Sequence, residues 1–135
     1  VRGVSALPWR DDATSWRAVR LLEDRAEEIR AEVLALHARG MLLPAAGSDS
    51  EKLVDTGLWK ELNFIFKGNW VLLAMQLLPA TFKIVTSLPE ASSMVLGATK
   101  ISVMEPGTHV LAHTGLTNAR MRIHLGLSGL DGVYI

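Results

Sequence analysis

The sequence predicts an α+β domain, with helices first and an antiparallel sheet second. Three observations carry this. Val19, Leu22, Ala26, Ile29, Val33 and Leu36 recur at steps of three and four, the repeat of one helix face. From residue 94 the chain turns β-rich, through "MVLGATKISVM", "THVLAH" and "NARMRIHLGL". Pro106-Gly107 separates the first two of these as a tight-turn signal, and helices followed by such strands fit an α+β domain with an antiparallel sheet. The 135 residues are read as one domain, helical over 10–90 and β-rich over 94–135.

Element by element, "LPWRDDATSW" is a polar lead-in whose Asp12 or Thr14 is placed to cap the helix over residues 19–36. Glu and Arg fill the face opposite the apolar stripe, as on a solvated surface, and Gly40 is suited to stop the helix. "MLLPAAGSDSEKLVDTG" is small and polar, the composition of a loop. In "LWKELNFIFKG" a period of two puts Leu62, Phe64 and Phe66 on one side of a strand and Glu61, Asn63 and Lys67 on the other. "NWVLLAMQLL" and "PATFKIVTSL" read as helices, with Pro79 at a first helical position.

Composition narrows the function. Lys plus Arg equals Asp plus Glu at 14 each, so no net charge draws the chain to nucleic acid or to an anionic membrane. Cysteine is absent, which removes disulfides, thiolate metal sites and cysteine nucleophiles while leaving the compartment open. The longest apolar run, "WVLLAMQLL", is far shorter than the ~20 residues of a spanning helix. The chain starts at Val1 rather than Met, and is expected to be a portion of a longer protein.

The chemistry concentrates in "MEPGTHVLAHTGLTNARMRIHLGL", which holds three of the four histidines. Read as a strand, "ARMRIHL" sets Arg120, Arg122 and His124 on one face and Met121, Ile123 and Leu125 on the other. A solvated cationic face needs no further account. A face turned into a cleft desolvates its ions at several kcal/mol each unless anions arrive, and Arg suits carboxylate or phosphate. His113 ends "THVLAH". Oxygenase iron sites combine two His with one carboxylate, usually starting from His-x-Asp/Glu, but here the triplet is His113-Thr114-Gly115. His109, four residues earlier, reads as a packing or surface residue.

"ISVMEPGTHVLAHTGLTNARMRIHLGL" resembles the central signature of the aspartyl/asparaginyl β-hydroxylases, Fe(II)- and 2-oxoglutarate-dependent oxygenases on a double-stranded β-helix, or cupin-like, fold. "LPW", "LLPA", "GLWKELNFIFKG" and "TSLPEAS" follow in the family's order, so the resemblance spans nearly the whole chain. It implies helices packed on an incomplete β-helix jelly roll. Animal members carry His-x-Gly where bacterial relatives more often keep His-x-Asp, so "HTG" resembles the peptide-hydroxylating branch. By resemblance, His113 is the first iron ligand. Trp59, Ser102, Arg122 and His124 contact 2-oxoglutarate, with Arg122 at the boundary to substrate, and Arg120 helps hold an acidic or Asn-containing peptide.

The implied reaction is oxidative decarboxylation of 2-oxoglutarate to succinate, coupled to hydroxylation of the β-carbon of Asp or Asn. Three departures stand beside it. The family's cysteine pair is missing, Val54 stands near a substrate-side arginine, and the family's second iron-binding histidine and 2-oxoglutarate-clamping arginine have no counterpart in these residues. The chain alone is therefore expected to turn over little. Two further readings stay open: a non-catalytic relic that keeps the anion-binding face, and a relative acting on a lipid or free acid.

Overall fold

Two helices, not one, carry the N-terminal apolar stripe. α1 (Arg17–Asp24) and α2 (Ala26–Ala38) meet at Arg25, whose φ of −109° and ψ of 11° leave the helical region. The computed structural model describes residues 2–3, 7, 9–44, 51–93, 95–115 and 117–133, with the side chains of 43, 44 and 51 excepted. Positions 45–50 of the expected loop, Pro8 of "LPW" and Met94 therefore lie outside the described residues. In α2 the expected positions hold, since Ile29, Val33 and Leu36 are buried. In α1 the buried residue is Ala18, while Val19 and Leu22 are half-buried.

The expected caps are taken by other bonds. Asp12 receives Arg10 Nε and Nη2 at 2.9 Å each and Trp16 Nε1 at 3.4 Å, so its carboxylate does not cap α1. Trp16 is the N-cap, with no side-chain cap bond, and Thr14 lies inside the preceding 3₁₀ turn. At the other end Gly40 does stop the helix. The Gly40 amide donates to His37 O (2.9 Å) and the Met41 amide to Leu36 O (3.4 Å), the paired bonds of a Schellman motif.

α3 (Leu72–Leu77), α4 (Pro79–Thr86) and the short α5 (Pro89–Ser92) follow the hairpin described below, with Pro79 at the first position of α4. The N-cap of α4, Leu78, offers no side-chain acceptor. Glu32 of α2 supplies one from across the helix pair. Its Oε1 accepts from the Ala80 amide at 3.0 Å, and its Oε2 accepts from both the Thr81 amide and the Thr81 hydroxyl at 2.7 Å.

The main sheet is built on β3 (Trp59–Phe66). β5 (Ala98–Met104) pairs antiparallel along its length, while β1 (Leu43–Pro44) and β4 (Asn69–Trp70) share the opposite edge. β2 (Val54–Thr56) and β6 (His109–Val110) form a second, two-stranded antiparallel sheet. The described strands make two open sheets and no closed barrel. Strands also precede residue 90, so helix and sheet interleave instead of dividing at residue 94.

A bulge corrects the expected alternation of β3. Asn63 pairs with Lys100 but Ile65 pairs with Thr99, so Phe64 is the extra residue. Phe64 and Ile65 are both buried, and Phe66 turns outward to 47% exposure. Beyond it Lys67 (φ 49°) and Gly68 (φ 77°) form a two-residue hairpin turn to β4, with the paired positive φ of a type I′ turn. The inward side chains Leu62 and Phe64 join Ile29, Val33, Leu36, Ile84 and Val85 in one core. Phe64 meets Phe82 at 6.3 Å between ring centroids, and burying a Phe of this size contributes about 1.5–3 kcal/mol. No helix among the described residues is long and apolar enough to cross a membrane.

Candidate functional site

The β3–β5 register places three cross-strand pairs on the face turned away from the helices: Trp59 with Met104, Glu61 with Ser102 and Asn63 with Lys100. Opposite residues of an antiparallel ladder share a face, so Trp59 and Ser102, four decades apart in sequence, belong to one surface. Ser102 is exposed and Trp59 is buried. The Lys100 ammonium lies 4.7 Å from the Trp59 ring centroid and 2.6 Å from Glu61 Oε2. Two polar atoms on this face are buried with no partner among the described residues, Trp59 Nε1 and Asn63 Oδ1. A buried N–H left unbonded carries a desolvation cost of about 1–3 kcal/mol, which an arriving acceptor relieves.

The corner between β5 and β6 is the one the sequence predicts. The Thr108 amide donates to Glu105 O at 3.1 Å and Gly107 has φ 79°, so Pro106-Gly107 forms a type II turn. Thr108 then ties this corner to the one between β2 and β3. Its hydroxyl accepts from the Leu58 amide (3.1 Å) and lies within donating distance of Glu105 O (2.6 Å) and Leu58 O (3.1 Å). Gly57, at φ 88°, makes the approach possible. A Cβ there would stand 2.5 Å from Thr108 Cα and 2.6 Å from its Oγ1.

β6 leads to His113. The Leu111 amide donates to Leu53 O at 2.8 Å, and Leu111 O lies 2.8 Å from His113 Nδ1. With Nδ1–H donating to that carbonyl, Nε2 keeps its lone pair and the exposed ring can take a metal there. His109 faces solvent and pairs with Asp55 at 3.0 Å. At Gly115 a Cβ would meet Thr117 O at 3.6 Å and Arg120 Nη2 at 3.9 Å, ordinary contacts, so space does not require glycine at this place. Among the described residues no three His, Cys, Asp or Glu converge on a metal position. One imidazole fits iron as a single ligand, short of the set that iron needs.

The expected last strand is not formed. Residues 119–127 pair with no strand among the described residues, and Arg120, Met121, Arg122, Ile123 and His124 are all exposed. A strand exists only through its ladder, and no described segment supplies one here. The alternation survives at Leu125 and Leu127, which pack against the core. His124 titrates below its usual 6.5, first because neighbouring atoms partly desolvate the ring and second because Arg122 repels its proton. A base held down in the folded state favours folding above the unfolded pKa and loses that contribution as pH falls. Arg122→Ala is expected to move the His124 midpoint part of the way back up, since the larger cause remains. An NMR titration of the His124 ring reads this, and an unmoved midpoint would remove Arg122 as a cause.

Of the residues expected at the site, the sheet brings Trp59 and Ser102 onto one face and the Thr108 corner joins their strands to the segment bearing His113. Arg120, Arg122 and His124 lie outside that ladder. Sequence reasoning missed Lys100, Glu61, Asn63 and Thr108. The signal for the first three was present as polar residues at alternate positions 61, 63, 100 and 102.

Helices packed against one face of an antiparallel sheet, with polar residues gathered on the other, define an α+β chain carrying a polar candidate surface. Sequence comparison takes this further. The profile of the aspartyl/asparaginyl β-hydroxylases matches residues 23–135. The human aspartyl/asparaginyl β-hydroxylase is 36% identical over 131 residues, and its mouse counterpart 35% over 132; each alignment covers 94% of this chain and 17% of the relative. Rat aspartate β-hydroxylase domain-containing protein 2 is 31% identical over 115 residues, covering 84% of this chain and 34% of the relative. The chain belongs to the aspartyl/asparaginyl β-hydroxylase family, and spans between about a sixth and a third of the length of these relatives.

Proposed function

We propose that the whole protein is an Fe(II)- and 2-oxoglutarate-dependent dioxygenase that hydroxylates the β-carbon of Asp or Asn in a peptide. The observation that supports it most is the buried, unpartnered Trp59 Nε1 on the face it shares with Ser102, in a chain of this family. In this reading Trp59 and Ser102 donate hydrogen bonds to the 2-oxoglutarate carboxylates, joined by Arg122 and His124. His113 offers Nε2 to iron while Leu111 O holds its Nδ1–H. Arg120 and Arg122 attract the acidic side chain to be modified. Iron with 2-oxoglutarate, when bound, supplies the oxygen-activating chemistry. The contribution of this chain is to orient the diacid and substrate and to keep Trp59 and its surroundings dry.

Incubating the whole protein with Fe(II), 2-oxoglutarate and an Asp-containing peptide is expected to release succinate and add one oxygen atom to the peptide. Succinate no higher than the uncoupled background would count against the peptide reading. His113→Ala is expected to abolish turnover and to weaken Fe(II) binding measured by calorimetry. Unchanged metal affinity in that variant would take His113 out of the ligand set.

A further inference from the structure

Glu61 is an obstacle to any anion on this face. Glu61 is the cross-strand partner of Ser102, and its side chain is only 10% exposed. A carboxylate so shielded from water repels an incoming dicarboxylate with little solvent screening. Lys100 meets this obstacle. It stands opposite Asn63, yet its ammonium reaches back along the face to within 2.6 Å of Glu61 Oε2 and lies over the Trp59 ring. The pair thus presents a neutral unit beside Ser102, and the ammonium covers the ring whose Nε1–H is left unbonded.

We propose that Lys100 is a positioning residue that masks Glu61, so that a dicarboxylate can lie along the Trp59–Ser102 face. The inference rests on the reading of that face as the 2-oxoglutarate site. It differs sharply from a role for Lys100 as the carboxylate's own partner. A mask becomes unnecessary once Glu61 is neutral, whereas a lost partner is not restored by changing Glu61.

The experiment compares wild type, Lys100→Met, Glu61→Gln and the double variant. Binding of 2-oxoglutarate and of glutarate, which has both carboxylates and no keto group, is measured in the presence of Mn(II) by calorimetry and through the Trp59 indole N–H in ¹H–¹⁵N spectra. Lys100→Met is expected to weaken both diacids by about tenfold or more, the double variant to return to within about threefold of wild type, and Glu61→Gln to bind equally or more tightly. A double variant as weak as Lys100→Met overturns the mask, and so does a Lys100→Met protein that binds as wild type does. Should Lys100→Met fail to fold, Glu61→Gln and the double variant still decide: weakened binding in either overturns the proposal. Glutarate bound as well as 2-oxoglutarate, with the variant pattern intact, removes the 2-oxoglutarate reading and leaves the mask standing. Wild type that responds to neither diacid removes both.

Discussion

Glu32→Ala is expected to lower the free energy of unfolding by about 2–4 kcal/mol, the sum of a lost cap and a stranded buried hydroxyl. The carboxylate accepts three hydrogen bonds from the start of α4, from the amides of Ala80 and Thr81 and from the Thr81 hydroxyl. Thr81 is 1% exposed, so water does not replace the lost partner. The cap also joins α2 to α4, and both helices contribute to the core. Thr81→Val, which removes the hydroxyl together with its need for a partner, is expected to cost only about 1 kcal/mol. Urea denaturation decides: a fallen midpoint with an unchanged slope is the expected signature, and a midpoint equal to wild type in Glu32→Ala would show that the cap is dispensable.

Gly57→Ala is expected to be similarly severe, at about 2–5 kcal/mol. The left-handed backbone at φ 88° costs a side chain about 1–2 kcal/mol, and the new methyl overlaps Thr108 Cα, a backbone atom that cannot rotate away. The corners before β3 and after β5 must then part. That displaces Trp59 relative to the strand leading to His113, so the spectral signals of both residues should shift along with the loss of stability. Thr108→Ser keeps the hydroxyl that bonds both corners and is expected to leave those signals nearly unchanged. A Gly57→Ala protein with wild-type stability would mean that the corners accommodate the methyl.

Some of this architecture was legible because single residues dictate it. Gly40, Pro79 and Pro106-Gly107 constrain their own backbone, and helix stop, helix start and turn fall where those constraints put them. The α2 stripe was legible because its 3.6-residue repeat is local. What escaped depends on partners remote in sequence. Phe66 turns outward because of how β3 registers on β5, and no alternation within "LNFIF" reveals a bulge. Asp12 does not cap because Arg10 and Trp16 hold it. Residues 119–127 have the alternation of a strand without, among the described residues, the ladder that makes one. At the candidate site, Trp59 and Ser102 were marked by family resemblance alone. Lys100 takes on meaning only once the register sets it on the same face as Trp59 and Glu61.

The backbone of Leu111 gives the site a mechanical property. Its N–H is anchored to Leu53 and its carbonyl lies against the His113 ring, so the two peptide planes that flank its Cα link the segment entering β2 to the imidazole. A sideways shift at Leu53 moves the first plane, and the second hands on to the ring whatever the two torsions at Leu111 do not absorb. The direction in which Nε2 points is therefore set in part from outside the histidine's own segment, and substitutions around residues 53–56 that never touch a ligand should register as a change in the aim of a lone pair.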